Sequence, residues 1–122
     1  AKAETLAMRA IKIAQDTPRS AAAAINNLAS LYATRRKYAE AEPLYKKALG
    51  LREALLGPEH PNVASTLNNL AVLYDSQGKY SEAEKIFQEA RQIILRLTGG
   101  EDLQYSRIVN NLADVYFKFL SG

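Results

Sequence analysis

The stretch LNNLAVLYDSQGKYSEAEKIFQEA, residues 67–90, decides the fold because the chain contains it more than once in recognisable form. INNLASLYATRRKYAEAEPLYKKA, residues 25–48, has the same pattern, and VNNLADVYF, residues 109–117, begins it a third time. The Asn-Asn pairs in these stretches fall at 26–27, 68–69 and 110–111, so both intervals are 42 residues. A fixed period of this length indicates a protein built from stacked structural repeats.

Each repeat predicts two helices joined by a tight turn. Leu67, Leu70, Ala71 and Tyr74 follow the i, i+3, i+4, i+7 spacing of one helix face. Gly78 then supplies a residue that can take the left-handed conformation at a helix end. A second amphipathic helix follows, with its apolar positions at Tyr80, Ala83, Ile86, Phe87, Ala90, Ile93 and Ile94.

The loop between repeats carries helix stop and start signals. In LGPEHPNVA, residues 56–64, Gly57 and Pro58 end one helix, and Pro61 stands where the first turn of the next helix tolerates a missing N–H. His60, the only histidine, is predicted to cap or pack at this helix start. No other histidine, cysteine or carboxylate cluster offers metal-ligand spacing, so we expect no metal and no cofactor.

These residues resemble the tetratricopeptide repeat, whose pattern is a bulky residue, Leu-Gly/Ala, Tyr, Gly-x-Tyr, Ala, an aromatic residue and Ala. The period of 42 is longer than the ~34 residues of the common form. It is similar to the long-helix subclass found in kinesin light chains and many bacterial signalling proteins. The resemblance implies an all-α fold, a right-handed superhelical solenoid of antiparallel helix hairpins with about six helices.

The expected domain organisation is a single array over residues 1–122. Residues 1–17 are interpreted as the second helix of a partial repeat, 20–60 and 61–100 as full repeats, and 101–122 as the first helix of another partial repeat. The first full repeat departs from the pattern, because Arg36 stands where its copy has a glycine. That turn therefore requires either an unfavourable backbone conformation at Arg36, costing ~1–2 kcal/mol, or a different path.

The composition, the charge distribution and the missing motifs argue against several classes of protein. The chain has 122 residues, 48% hydrophobic and 24% charged, with no cysteine, which excludes disulfides and thiol nucleophiles. No apolar run approaches the ~20 residues of a transmembrane helix, and the N-terminus lacks a signal-peptide pattern, so we expect a cytoplasmic protein without a membrane partner. The net charge of +3 is spread among acidic residues, which predicts no nucleic-acid partner. No catalytic motif is present, so we expect no enzyme.

The first Asn of each Asn-Asn pair points to the candidate binding site. The first Asn of each pair lies on a helix face distinct from the buried one, whereas the second Asn matches a family position that usually holds the structure together. In the family the first face lines a concave groove, and an Asn amide there offers both a donor and an acceptor to a peptide backbone. The predicted groove residues are Asn26, Ser30, Ser65, Asn68, Val72, Asp75, Arg107, Asn110, Asp114 and Lys118.

We therefore predict a protein–protein interaction module that binds a peptide or partner segment in this groove. The resemblance to kinesin light chains implies that Arg107 and Lys118 pair with acidic ligand residues, although Asp75 and Asp114 would oppose a strongly acidic ligand.

The alternative is a structural module that self-associates through uncapped terminal helices into a homo-oligomer. Natural arrays end in polar capping helices, and none is visible in this sequence. The residues predicted to be left uncovered for such association are Val115, Phe117, Phe119 and Leu120.

Overall fold

The structure is a computed structural model that describes residues 2–13 and 18–121. Within these ranges every regular element is an α-helix and no strand is found, which confirms the all-α prediction. The helices, in chain order, are α1 (Lys2–Ile13), α2 (Pro18–Thr34), α3 (Tyr38–Leu56), α4 (Pro61–Ser76), α5 (Tyr80–Thr98) and α6 (Leu103–Ser121).

The chain forms two compact units, Ala1–Pro58 and Glu59–Gly122. The first unit contains the hairpin of α2 and α3, with α1 packed against α2. The second contains the hairpin of α4 and α5, with α6 packed against α5 and touching α4. Each unit therefore holds one complete helix pair and one additional helix.

The core of the second unit is built from the apolar residues that recur in the sequence. Most of the predicted positions are buried, and only Tyr80 and Ile86 are half-buried. Phe87 is 1% exposed, and full burial of such a side chain contributes about 1.5–3 kcal/mol to folding. The remaining buried members are Leu67, Leu70, Ala71, Tyr74, Ala83, Ala90, Ile93 and Ile94.

The two hairpin turns have the same geometry although their sequences differ. Gly78 has φ 77°, and Arg36, its counterpart in the first hairpin, has φ 61°. In both turns a lysine backbone N–H donates to a tyrosine carbonyl over 2.9 Å: Lys37 to Tyr32 and Lys79 to Tyr74. Of the two paths open to Arg36, the chain takes the left-handed conformation that disfavours a side chain.

The start of α4 follows the signals in the preceding loop. Pro61 is the first helical residue, and the Nδ1 atom of His60 accepts a hydrogen bond of 3.0 Å from the backbone N–H of Asn62. This satisfies one of the free N–H groups at the helix start, so the capping role predicted for His60 is confirmed. Gly57, with φ 87°, ends α3 as expected.

An ion cluster anchors α1 in the first unit. The carboxylate of Glu4, 8% exposed, lies 3.2 Å from the Arg35 guanidinium and 3.3 Å from the Lys37 ammonium. Burial alone would raise the pKa of Glu4, but the hydrogen bond and charge of Lys37, together with the charge of Arg35, outweigh it and lower this pKa below its ordinary value. Glu4 therefore stays ionised and ties α1 to the turn between α2 and α3.

The prediction that Val115 is uncovered is wrong. Val115 is fully buried, because Ile108, Leu112 and Val115 form the face of α6 that packs inside the second unit. Phe119 is partly covered, with its ring centroid 6.0 Å from that of Tyr80 in an edge-on arrangement. The other two predicted residues are exposed, Phe117 at 69% and Leu120 at 90%.

Candidate functional site

Three polar contacts join α4 and α6 side by side. Each contact links residues 43 positions apart, and successive contacts are seven residues apart on both helices. The pairs are Gln104 Nε2 to the Pro61 carbonyl at 3.0 Å, Asn111 Nδ2 to Asn68 Oδ1 at 3.0 Å, and Lys118 Nζ to Asp75 Oδ2 at 2.9 Å. Because the residue numbers increase in the same direction, the two helices run parallel.

The central contact explains part of the Asn-Asn doublet. Asn68, the first Asn of its pair, accepts a hydrogen bond from Asn111, the second Asn of the next pair. Asn68 is half-buried and joins the two helices, whereas Asn110 is exposed. The family resemblance implied a structural role for Asn111, but it did not indicate that Asn68 would be its partner.

Lys118 is held by two carboxylates. Its ammonium lies 2.9 Å from Asp75 on α4 and 3.0 Å from Asp114 on α6, and 5.9 Å from the centre of the Tyr80 ring. The hydrogen bond to Asp75, followed by that to Asp114, raises the pKa of Lys118 above its ordinary value. Two negative charges against one positive charge leave this end of the helix pair acidic, so Lys118 is not a free cation for an acidic ligand.

Arg107 lies at the opposite end of the same helix pair. Its exposed guanidinium has no hydrogen-bond or ion-pair partner within the described chain. It borders a depression of about 350 Å³ between the first turns of α4 and α6, lined by Pro61, Asn62, Ser65, Asp102, Leu103, Gln104 and Arg107. The Asp102 carboxylate at this depression accepts a hydrogen bond from the Gln104 backbone N–H over 2.6 Å, so it caps α6.

The structure brings eight of the predicted groove residues onto neighbouring helices of the second unit. On α4 and α6 they recur at intervals of three or four residues, so that each set follows one helix face. We call this surface the α4–α6 face, formed by Ser65, Asn68, Val72, Asp75, Arg107, Asn110, Asp114 and Lys118.

The other two predicted groove residues, Asn26 and Ser30, belong to α2 in the first unit. Asn26 is half-buried and takes part in a polar interaction. Ser30 is exposed, and burial raises the pKa of the Tyr45 hydroxyl on α3, a rise that the nearby Ser30 side chain opposes.

Gln104 was missed by the sequence reasoning. Its partner is a backbone carbonyl, that of Pro61, and such a contact leaves no mark on the identity of the partner residue. The signal that relates the Gln104 contact to the other two is that all three join residues 43 positions apart, one more than the repeat period.

The described ranges, 2–13 and 18–121, contain no group of three or more His, Asp or Glu side chains placed to hold a metal ion. None of the helices in these ranges is both long and apolar enough to cross a membrane.

The chain is similar to proteins of known family and known structure. A tetratricopeptide repeat family model matches residues 20–94. The crystal structure of BtubC (BKLC) from P. vanneervenii superimposes with a TM-score of 0.87 and 29% identity, covering 97% of this chain and 48% of that one. No curated protein sequence matches.

A second group of solved structures has the same fold. A putative kinesin light chain from Podosopora anserina with nearly identical TPR-like repeats superimposes with a TM-score of 0.81 at 23% identity, covering 94% of this chain and 56% of that one. A single-residue variant of that protein superimposes with a TM-score of 0.81 at 24% identity, again covering 94% of this chain and 56% of that one. The chain spans about half the length of each of these proteins. It belongs to the tetratricopeptide repeat family, whose repeats are generally protein–protein interaction modules.

Proposed function

We propose that the α4–α6 face binds an extended segment of a partner protein. The observation that carries this proposal is the pairing of two parallel helices by the three polar contacts, which fixes a row of exposed side chains of varied chemistry. Val72, Asn110 and Asp114 offer an apolar surface, an amide and a carboxylate in one fixed array. Such preorganisation reduces the entropy lost when a ligand binds.

The face has opposite charges at its two ends. At one end the Asp102 carboxylate is engaged in capping α6, which leaves the Arg107 guanidinium and the positive first turns of two parallel helices to favour a negative ligand group. Asp75 and Asp114 exceed the charge of Lys118 at the other end, and so favour a positive group. A ligand of mixed charge therefore fits this face better than the uniformly acidic ligand expected from the resemblance to kinesin light chains.

The helix geometry sets the ligand spacing. Arg107 and Asp114 are seven residues apart on α6, and at ~1.5 Å per residue this is about 10 Å along the axis. An extended peptide in the polyproline II conformation covers that distance in about three residues at ~3.1 Å each, and its three-residue turn places side chains three apart on the same side. We propose that the bound segment carries an acidic side chain and, about three positions away, a basic one.

Binding of this kind needs no catalytic group, and we propose that the chain acts by display alone. Short segments held by a few such contacts typically bind at micromolar strength, about −8 kcal/mol. The Asn110 amide, with a donor and an acceptor, suits the backbone of the segment between its two charged side chains.

The test begins with selection of peptides from a random library on the purified chain. Isothermal titration calorimetry of a selected peptide then compares the parent with Arg107→Glu and Asp114→Lys. Each change removes one exposed ion pair and adds a like-charge contact, so we expect a loss of about 1–1.5 kcal/mol, or five- to tenfold in Kd. A peptide with the matching charge reversed should regain affinity for the corresponding variant.

Gln92→Glu is the matched control, since Gln92 is exposed on α5 and outside the α4–α6 face. It should bind like the parent. Equal affinity of the parent and both α6 variants, or a loss confined to the Gln92 variant, would place the ligand elsewhere and refute the proposal.

A further inference from the structure

Lys118 bridges two carboxylates at the acidic end of the α4–α6 face. Its ammonium lies 2.9 and 3.1 Å from the two carboxylate oxygens of Asp75 on α4, and 3.0 Å from the carboxylate of Asp114 on its own helix. The Asp75 side chain is only 15% exposed, and within the described ranges Lys118 is the one cation paired with it. One positive charge thus holds together two negative charges that come from different helices.

The repeated pattern does not require this cluster. The residues 42 positions before Lys118 and Asp114 are Ser76 and Val72, and neither carries a charge. Both lie on α4, which forms a complete hairpin with α5 without a charge at these positions. The two charges on α6 are therefore additional to the residues that build a first helix.

Another cation can reach the place of the Lys118 ammonium. The Lys118 side chain is 37% exposed and that of Asp114 is 54% exposed, so solvent reaches both sides of their contact. A lysine ammonium is a compact charge on a flexible four-carbon stem, and it can leave without movement of its helix. Hydrogen bonds to Asp75 and then Asp114 raise the pKa of Lys118, so this group is charged at neutral pH and always available to occupy the place.

We propose that Lys118 is a built-in competitor that selects arginine-containing segments. Its ammonium occupies the position between Asp75 and Asp114 that the basic side chain of a bound segment takes. This inference rests on the proposed function, because it concerns the acidic end of the same face. In the free protein Lys118 keeps the mostly buried Asp75 carboxylate paired, and in the complex the side chain of the segment replaces it.

Arginine is the side chain that suits this exchange. Its planar guanidinium has five N–H donors in a fixed fork, so it can bond two carboxylates at the same time. The free energy of the new contacts is offset by the loss of the Lys118 pair. A lysine of the segment would exchange one ammonium for another and gain little, whereas a guanidinium gains affinity through its additional hydrogen bonds.

Three synthetic versions of a library-selected peptide test the proposal by isothermal titration calorimetry. They differ only at the basic position, which holds arginine, lysine or citrulline, a neutral side chain of the same shape as arginine. For the parent protein, the arginine version should bind best, and the lysine version should bind about as weakly as the citrulline version. In Lys118→Met the competitor is absent, so the arginine and lysine versions should each bind about five- to tenfold more tightly, while the affinity of the citrulline version is unchanged.

Lys118→Arg is the matched control, because it keeps a cation between the two carboxylates, and the arginine version should gain no affinity for it. Thermal melts followed by circular dichroism confirm that both variants are folded at the assay temperature. In parent protein with isotope-labelled lysine, the nuclear magnetic resonance signal of the Lys118 ammonium should shift when the arginine version is added. It should stay in place with the citrulline version.

An arginine version that gains no affinity for Lys118→Met, or a gain that the citrulline version shares, would overturn the inference. If Arg107→Glu still weakens binding in that case, the proposed function stands and only the role of Lys118 is wrong. If neither Arg107→Glu nor Lys118→Met changes the affinity of any version, both proposals fail.

Discussion

Replacement of Arg36 by glycine should stabilise the first unit. Arg36 has φ 61°, a left-handed conformation that costs a residue with a side chain ~1–2 kcal/mol relative to glycine. Glycine loses more freedom on folding, which removes ~0.5–1 kcal/mol of that gain. The Arg36 side chain is exposed and makes no hydrogen bond or ion pair with the described residues, so removing it loses no such contact. The net expectation is a gain of about 0.5–1 kcal/mol.

The measurement is urea unfolding followed by circular dichroism, with the thermal midpoint as a second reading. Arg36→Ala is the matched control: it removes the same side chain but keeps a Cβ in the left-handed conformation, so it should give none of the gain. Gly78→Ala makes the reverse change in the other turn, where φ is 77° and the space around the glycine is open, so the loss of about 1 kcal/mol should come from the backbone alone. If Arg36→Gly and Arg36→Ala have the same free energy of unfolding, the left-handed conformation at residue 36 does not destabilise this turn.

Three further predictions concern the polar contacts. Asn111→Ala should lower the free energy of unfolding by about 1 kcal/mol by removing the central contact between α4 and α6, whereas Asn110→Ala should change it little; thermal melts compare the two. Hydrogen bonds to Asp75 and then Asp114 raise the pKa of Lys118 in the folded state. The contribution of Lys118 to the free energy of unfolding is therefore complete below its ordinary pKa of 10.5 and is lost as pH rises through the higher folded pKa. Lys118→Met should therefore flatten the alkaline limb of a stability–pH curve, and an unchanged limb would contradict this. The pKa of Glu4 is lowered in the folded state, so its contribution to the free energy of unfolding is complete above pH 4.5 and is lost as pH falls through the folded pKa. Glu4→Gln should therefore flatten the acid limb of the stability–pH curve, as measured by urea unfolding between pH 2 and 7.

Much of the fold could be predicted from the sequence because the information is local and repeated. Leu70, Tyr74 and Phe87 recur at helical spacing in at least two copies, so their burial follows from periodicity. Gly78 and Pro61 act within a single turn of chain and could be assigned in the same way.

What could not be predicted depends on side chains meeting across helices. The family resemblance predicted a structural role for Asn111, but its bond to Asn68 depends on how far α6 is shifted along α4. The pairing of Lys118 with Asp75 depends on the same shift, and it changes Lys118 from an expected ligand-binding cation into part of an acidic cluster. Val115 could have been predicted, because it lies one repeat period after Leu73, which is also buried, but Leu73 was not among the apolar positions assigned to the core.

Site-specific photo-crosslinking tests the central claim, that the α4–α6 face is where a partner segment binds. A benzophenone side chain is placed at position 110 or, as control, at position 92, and each protein is irradiated with a library-selected peptide. The account predicts a crosslink from position 110 that excess unlabelled peptide abolishes, and little from position 92. A competable crosslink from position 92 with none from position 110 would contradict it.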